Sequence, residues 1–246
     1  MRGCTDGHPT GRLELLRWTA RIGAVTAEAL AEQQCSSVAS ARARLSAGER
    51  RGLLAQSRLL TGQPALYTIT RAGLRACGMR GLVPAHVSAA NATHSAACAF
   101  VAAALGRRYP EHRVIGEPEL RMQERLLGRP LASARIDSRA LGAGALHRPD
   151  LVLWPLSPGD GLPVAVEVEL AVKAPRRLLA ICRGWARCRE VAGVLYLASP
   201  AAERALGRAI EAAQAGDAIA LLAISALVSG GHPGRAPSQR TIPSEA

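Results

Sequence analysis

The order of short segments in the first 80 residues limits the fold more than any other feature. Three short helices are predicted there, over residues 11–22, 27–34 and 38–47. Two apolar stretches, 53–60 and 66–70, follow, and the residues between them, with Gly62 and Pro64, predict the turn of a β-hairpin. Thr70 is a good N-capping residue for a short closing helix over 71–77. Three helices, a hairpin and a closing helix fit few small folds.

The close of this segment resembles a known pattern. Residues 66–74, Leu-Tyr-Thr-Ile-Thr-Arg-Ala-Gly-Leu, resemble the Tyr-x-(Ile/Leu)-Thr-x-x-Gly phrase that ends many winged-helix repressors. Together with the segment order, this predicts a winged helix-turn-helix DNA-binding domain over residues 10–80. The partner that it implies is double-stranded DNA.

The distribution of charge agrees with this prediction. The chain has a formal net charge of +12, and residues 1–80 hold 12 arginines and five acidic residues, which leaves +7 in the first third. Such an excess suits a domain that binds a polyanion. The alternative is that an arginine-rich composition reflects a biased genome.

A winged helix places its third helix in the major groove of DNA. Val38, Ala41 and Leu45 recur at helical spacing and are predicted to face the core. Arg42 and Arg44 flank the outward face and are the base-reading candidates, whereas the arginines that follow are better placed for phosphates. The candidate DNA-binding residues are Ser40, Arg42, Arg44, Arg50, Arg51 and Arg58. The alternative is a winged helix that makes protein contacts, such as those of a homodimer.

The rest of the chain predicts a second domain of another class, over residues 88–228, after a linker at 78–85. The predicted elements are helices over 88–108, 175–189 and 200–215, and strands over 113–116, 150–154, 164–170, 193–198 and 219–224. The fold class is therefore α/β (α+β), with a mixed sheet. Residues 121–147 show no clear period and are predicted to form an excursion or lid. Residues 229–246 are rich in Pro, Gly and Ser and are predicted to be a disordered tail.

Acidic residues concentrate on the strand over 164–170. Side chains alternate along a strand, so Glu167 and Glu169 share one face. If the neighbouring strand pairs with this one, Asp150 approaches one end of the acidic pair. Converging carboxylates of this kind are typical of a Mg²⁺ site. Lys173, the only lysine in the chain, follows shortly after.

This arrangement resembles the PD-(D/E)xK restriction-endonuclease-like superfamily. Pro149-Asp150, then Glu167-x-Glu169, then Lys173, lie between strands and before a helix. With the winged helix in front, the chain is similar to the replication-relaxation family of plasmids and mobile elements. The resemblance implies Asp150 and Glu167 as ligands of Mg²⁺ and Lys173 as the residue that acts on water or phosphate, with Glu169 as a further catalytic candidate.

The chain also departs from the superfamily pattern. Glu169 stands where the lysine is expected, and the helix over 88–108 lacks the expected acidic residue. Three alternatives therefore stay open: an active nuclease, an inactive nuclease-like domain that binds a partner or ligand, and an unrelated α/β domain.

Two alternatives also apply to single residues of this domain. Glu167 and Glu169 could form the solvated face of an edge strand, paired with Arg176 or Arg177. His147 is predicted to be a loop residue rather than a general base.

Neither a secretion signal nor a membrane segment is predicted. The N-terminal residues are polar, and the longest apolar runs, 96–105 and 218–227, are too short to cross a bilayer. The six cysteines show no spacing typical of a zinc site, which favours reduced thiols. We therefore expect a cytoplasmic protein with no membrane partner.

Overall fold

The structure, a computed structural model, describes residues 9–138, 142–157 and 159–227. Helices and strands are both abundant and the main sheet is mixed, which confirms the predicted α/β class. The chain divides into two compact units, Met1–Gly128 and Arg129–Ala246. The predicted tail over 229–246 lies outside the described residues.

The first unit opens with the predicted helices and hairpin. Its first elements are α1 (Pro9–Ile22), β1 (Ala24–Val25), α2 (Ala27–Gln34), α3 (Val38–Arg50), β2 (Leu54–Ser57), β3 (Leu66–Ile69) and α4 (Arg71–Ala76). The three strands form an antiparallel sheet in the order β1-β3-β2. The side-chain oxygens of Thr26, Ser37 and Thr70 accept backbone N–H groups at the starts of α2, α3 and α4. Each cap offsets a donor that a helix start leaves unpaired.

The Thr-x-x-Gly phrase has a physical explanation. The Thr70 hydroxyl accepts the Gly73 N–H at 3.0 Å and donates to the Gly52 carbonyl at 2.7 Å, which fastens β3 to the end of α3. A Cβ at Gly73 would lie 2.2 Å from the carbonyl oxygen of Leu53. Only glycine therefore allows α4 to pack this closely against the backbone that precedes β2.

Three further elements complete the first unit: α5 (Ala92–Arg108), β4 (His112–Gly116) and α6 (Glu117–Leu127). Helix α5 packs on α2, and α6 packs on α1. Helix α6 overlaps the segment predicted to be an excursion or lid, and that prediction is wrong there. The sequence of α6 lacks a recognisable helical spacing of apolar residues, because Glu119 and Glu124 are buried whereas Leu126 and Leu127 are exposed.

The boundary between the compact units follows Gly128. The sequence instead places a linker at 78–85 and begins the second domain at 88. A compact unit is not by itself a domain that folds alone, so the predicted domain limits, 10–80 and 88–228, stay predictions.

The second unit is built on parallel and antiparallel strands. Its elements are β5 (Ala134–Ser138), β6 (Gly142–His147), β7 (Leu151–Pro155), β8 (Val164–Glu169), α7 (Pro175–Arg187), β9 (Gly193–Ala198), α8 (Pro200–Ala212) and β10 (Ile219–Ala223). Strands β7 and β8 are antiparallel, and β8, β9 and β10 are parallel neighbours in that order. The antiparallel pair of β5 and β6 was not predicted from the sequence, and α7 packs on β5.

Two findings concern membranes and cysteines. No helix in the described part of the chain combines the length and apolar character needed to cross a bilayer. The five described cysteines form no disulfide bond with one another, and Cys77, Cys98 and Cys182 are buried. Burial raises the pKa of Cys182 to about 11, which makes it a poor nucleophile.

Candidate functional site

The two strand carboxylates are buried in the interior of the second unit. Glu167 and Glu169 are only 3% and 5% exposed, and β8 has a hydrogen-bonded strand on each side. The alternative of a solvated edge strand is therefore wrong. Two carboxylates on such a strand are costly to bury unless each has a partner.

Glu167 has two such partners. Its Oε1 atom lies 2.6 Å from His147 Nε2 and accepts the indole N–H of Trp185 at 3.2 Å. His147 is the last residue of β6, and Trp185 lies on the buried face of α7. The prediction of His147 as a loop residue is wrong, because the histidine ends a strand and contacts the acidic residue directly.

Burial and neighbouring charge set the protonation of this pair. Burial raises the pKa of the Glu167 carboxyl group, while His147 opposes the rise and the charge of Asp150 adds to it. Burial lowers the pKa of His147, but the adjacent Glu167 outweighs it and leaves that pKa above its ordinary value. The hydrogen bond needs a proton between the two groups. His147 donates that proton when Glu167 is ionised, and Glu167 donates it when its carboxyl group is protonated.

Asp150 lies directly before β7. Its Oδ2 atom accepts the backbone N–H of Val168 at 2.8 Å, which joins the start of β7 to β8. Leu151 is in register with Val166, so Asp150 stands one step further along, across from Glu167. The two acidic residues are close enough for the charge of Asp150 to raise the pKa of Glu167.

Lys173 folds back on Glu169. Its Nζ atom donates to Glu169 Oε2 at 2.5 Å, and about a third of the lysine side chain is exposed. The positive charge of Lys173 also lowers the pKa of Glu167, opposing the effect of burial. The second unit thus brings the four predicted site residues to the carboxyl-terminal half of β8. These described positions do not form a ready metal cluster: no three ligand atoms taken from Asp150, His147, Glu167 and Glu169 lie within 4.8 Å of one another.

The first unit presents part of the predicted DNA-binding set to solvent. Arg42, Arg50, Arg51 and Arg58 are exposed, and Ser40 is half-buried. Arg42 and Arg58 line a groove of about 330 Å³ between α2, α3 and the β2–β3 loop, together with Gln56 and Gln63. Glu28 also lines the groove and forms a salt bridge with Arg42 at 3.8 Å. Arginine and amide side chains such as those of this groove are residue types that often contact DNA in DNA-binding proteins.

Arg44 is placed differently. It donates to Gln34 Oε1 at 2.5 Å and to the Gly11 carbonyl at 3.2 Å, so it ties α3 to α2 and α1. Val38 is also not a core residue, since 38% of it is exposed. The buried face of α3 is instead formed by Ala41, Leu45 and Gly48.

Sequence reasoning missed two residues of the buried site. His147 had a signal, because it stands immediately before the Arg148-Pro149-Asp150 entry to β7. Trp185 lies among the apolar residues of the buried face of α7, and nothing in its spacing reveals a hydrogen bond to Glu167.

No family model, curated protein or solved structure matches the chain. The resemblance to the replication-relaxation family therefore stays a prediction.

Proposed function

We propose that the chain is a duplex-DNA-binding protein of plasmid or mobile-element replication or maintenance, with a magnesium-dependent nuclease site in its second unit. The observation that carries the nuclease part is the placement of Asp150, Glu167, Glu169 and Lys173 around one buried strand. The biological setting rests on the sequence resemblance alone.

The donor set fits Mg²⁺, which favours carboxylate oxygens and keeps several waters. Asp150, directly before β7, stands across from Glu167 on β8. Burial is the main cause of the raised pKa of Glu167, and repulsion by the charge of Asp150 adds to it. A cation held by these two carboxylates would remove that repulsion. Bound there, Mg²⁺ would supply Lewis-acid chemistry and an acidified water molecule.

Residues of the chain itself would position the carboxylate and stabilise the charge on phosphate. His147 and Trp185 fix the orientation of the Glu167 carboxylate through its Oε1 atom. Lys173 is partly exposed, so its ammonium group can exchange Glu169 for a phosphate oxygen of the substrate. Its positive charge would then stabilise the negative charge that develops on phosphate.

DNA binding is assigned to the winged helix of the first unit. Helix α3 would enter the major groove, and the exposed arginines around the Arg42–Arg58 groove would contact the duplex. Because most of these contacts are with phosphates, binding should weaken steeply as salt rises.

A second candidate is a non-enzymatic regulator whose second unit binds a partner or ligand. The observation that favours it is that side chains already neutralise the acidic residues. His147 and Trp185 occupy Glu167 Oε1, and Lys173 neutralises Glu169. A domain that has lost its nuclease activity would keep such interactions for stability.

Plasmid cleavage separates the two candidates. Supercoiled plasmid is incubated with the full chain in Mg²⁺, in Mn²⁺ and in EDTA, and duplex binding is measured in parallel. Cutting that needs the metal and is lost in Asp150→Asn and Lys173→Ala supports the nuclease. Asp160→Asn, an exposed acidic residue of the β7–β8 turn, is the matched control and should cut normally. Duplex binding without any cutting would leave the regulator.

A further inference from the structure

The outer face of α7 carries a row of arginines. Arg176, Arg183 and Arg187 are spaced by seven and four residues, which places them within roughly 40° of one another around the helix. The row extends for about 16 Å at the helical rise. The opposite face carries the buried residues Leu178, Ile181, Cys182 and Trp185. Burial of that face therefore points the arginines outward.

The charge of this face is not balanced on its own helix. Helix α7 contains four arginines, including Arg177, and no acidic residue. Arg176 and Arg183 are exposed and form no salt bridge with an acidic residue in the described ranges. Together with Leu179, Ala180 and Arg187 they line an open groove of about 390 Å³. A shallow cationic groove without acidic residues is complementary to an extended anion.

We propose that this face of α7 binds the phosphate backbone of duplex DNA. The proposal rests on the proposed function, because it adds a second DNA contact to the one assigned to the winged helix. Arginine is suited to the task because its guanidinium group binds phosphate through two parallel hydrogen bonds. At the helical rise, the successive arginines of the row lie about 10 Å and 6 Å apart along one line. They can therefore contact phosphates along one strand of the duplex.

The position of the row relative to the acidic site gives this contact a role. Arg176 lies three residues beyond Lys173, in the first turn of α7. A backbone bound along the row would therefore have one end beside the lysine that is proposed to act on phosphate. The row would hold the strand there, and it would do so without reading sequence.

The test compares two pairs of arginines in the full chain. The first variant is Arg176→Gln with Arg183→Gln. The control is Arg204→Gln with Arg208→Gln on α8, where both arginines are exposed and Glu203 and Glu211 are near in sequence. The Kd for one duplex is measured for each protein over a series of salt concentrations. The logarithm of the association constant decreases linearly with the logarithm of the salt concentration. The magnitude of this slope should be smaller by about two in the α7 variant, since each lost phosphate contact removes about 0.9. The control should keep the wild-type slope.

The outcomes separate this inference from the proposed function. If the wild type binds duplex and the α7 variant keeps both its Kd and its slope, the inference is overturned and the DNA-binding function stands. If the wild type binds no duplex at any salt concentration, both fail. Arg176→Lys with Arg183→Lys guards against a misfolded variant, because it keeps the charge and should keep most of the slope. An equal loss of slope in the Gln and Lys variants would mean that the loss does not come from the removed positive charge, and this would overturn the inference.

Discussion

His147 Nε2 lies 2.6 Å from Glu167 Oε1, across 20 residues of sequence. The contact joins the end of β6 to the middle of β8, and the Trp185 indole N–H from α7 meets the same oxygen. The Trp185 and His147 rings also meet edge to face, with centroids 5.8 Å apart. Three elements of the second unit are therefore held together by one buried carboxylate.

The first prediction concerns the strength of this contact. His147→Ala leaves Glu167 buried with Trp185 as its remaining partner, so it should destabilise the fold by about 1–3 kcal/mol. Glu167→Gln and the double variant complete a cycle, and a direct contact predicts a coupling of about 0.5–3 kcal/mol. Urea denaturation measures all four proteins. His86→Ala, at an exposed histidine, is the control and should change little. Additive effects would show that the two residues do not interact.

The second prediction concerns metal binding in the absence of DNA. Mg²⁺ or Mn²⁺ should raise the thermal midpoint of the wild type, since a ligand that binds only the folded state stabilises it. Asp150→Asn should remove the shift but keep the fold, because the amide oxygen can still accept the Val168 N–H. Asp160→Asn should shift like the wild type. An equal metal-induced shift in Asp150→Asn would exclude Asp150 as a ligand.

Local chemistry made several features predictable. Thr70 and Gly73 mark the start of α4 because a cap and a close backbone approach require those residue types. The alternation along β8 placed Glu167 and Glu169 on one face, and both are buried there. Such features depend on neighbours in sequence.

The features that were missed depend on distant contacts. Helix α6 buries Glu119 and leaves Leu126 exposed, so its hydrophobic period does not reveal it. Arg44 resembles a base-reading residue in sequence, but its hydrogen bonds to Gln34 and Gly11 hold it against α2 and α1. Only the packed structure shows these partners.

The third prediction uses Glu119, one of the two buried acidic residues of α6. Glu119 has Arg21 Nε at 3.4 Å and Arg113 Nη2 at 3.6 Å. Burial raises the pKa of Glu119, and the two arginines and Gln123 only partly oppose this, so it stays above its ordinary value of 4.5. The folded state then holds the proton more tightly than the unfolded state does. The contribution of Glu119 to stability is therefore greatest below pH 4.5 and falls as the pH rises through the folded-state pKa.

Glu119→Gln stays neutral and should lose this pH dependence. The free energy of unfolding of the wild type, minus that of the variant, should decrease from pH 4 toward neutral pH. Urea denaturation at several pH values measures it, with the exposed Glu14→Gln as the control. A difference that is constant or increases with pH would contradict the raised pKa.

The last prediction separates two arginines of α3 that sequence reasoning treated alike. Arg44 makes two hydrogen bonds to other helices, so Arg44→Ala should lower the free energy of unfolding by about 1–3 kcal/mol. Arg42 is 61% exposed in its side chain, so Arg42→Ala should change stability by less than about 0.5 kcal/mol. It should instead weaken sequence preference by about 1–3 kcal/mol if Arg42 contacts a guanine through two hydrogen bonds. Urea denaturation and competition between duplexes measure the two effects, with Arg58→Ala as the control that weakens every duplex equally. A loss of sequence preference in Arg44→Ala at unchanged stability would mean that Arg44 leaves its partners to read DNA.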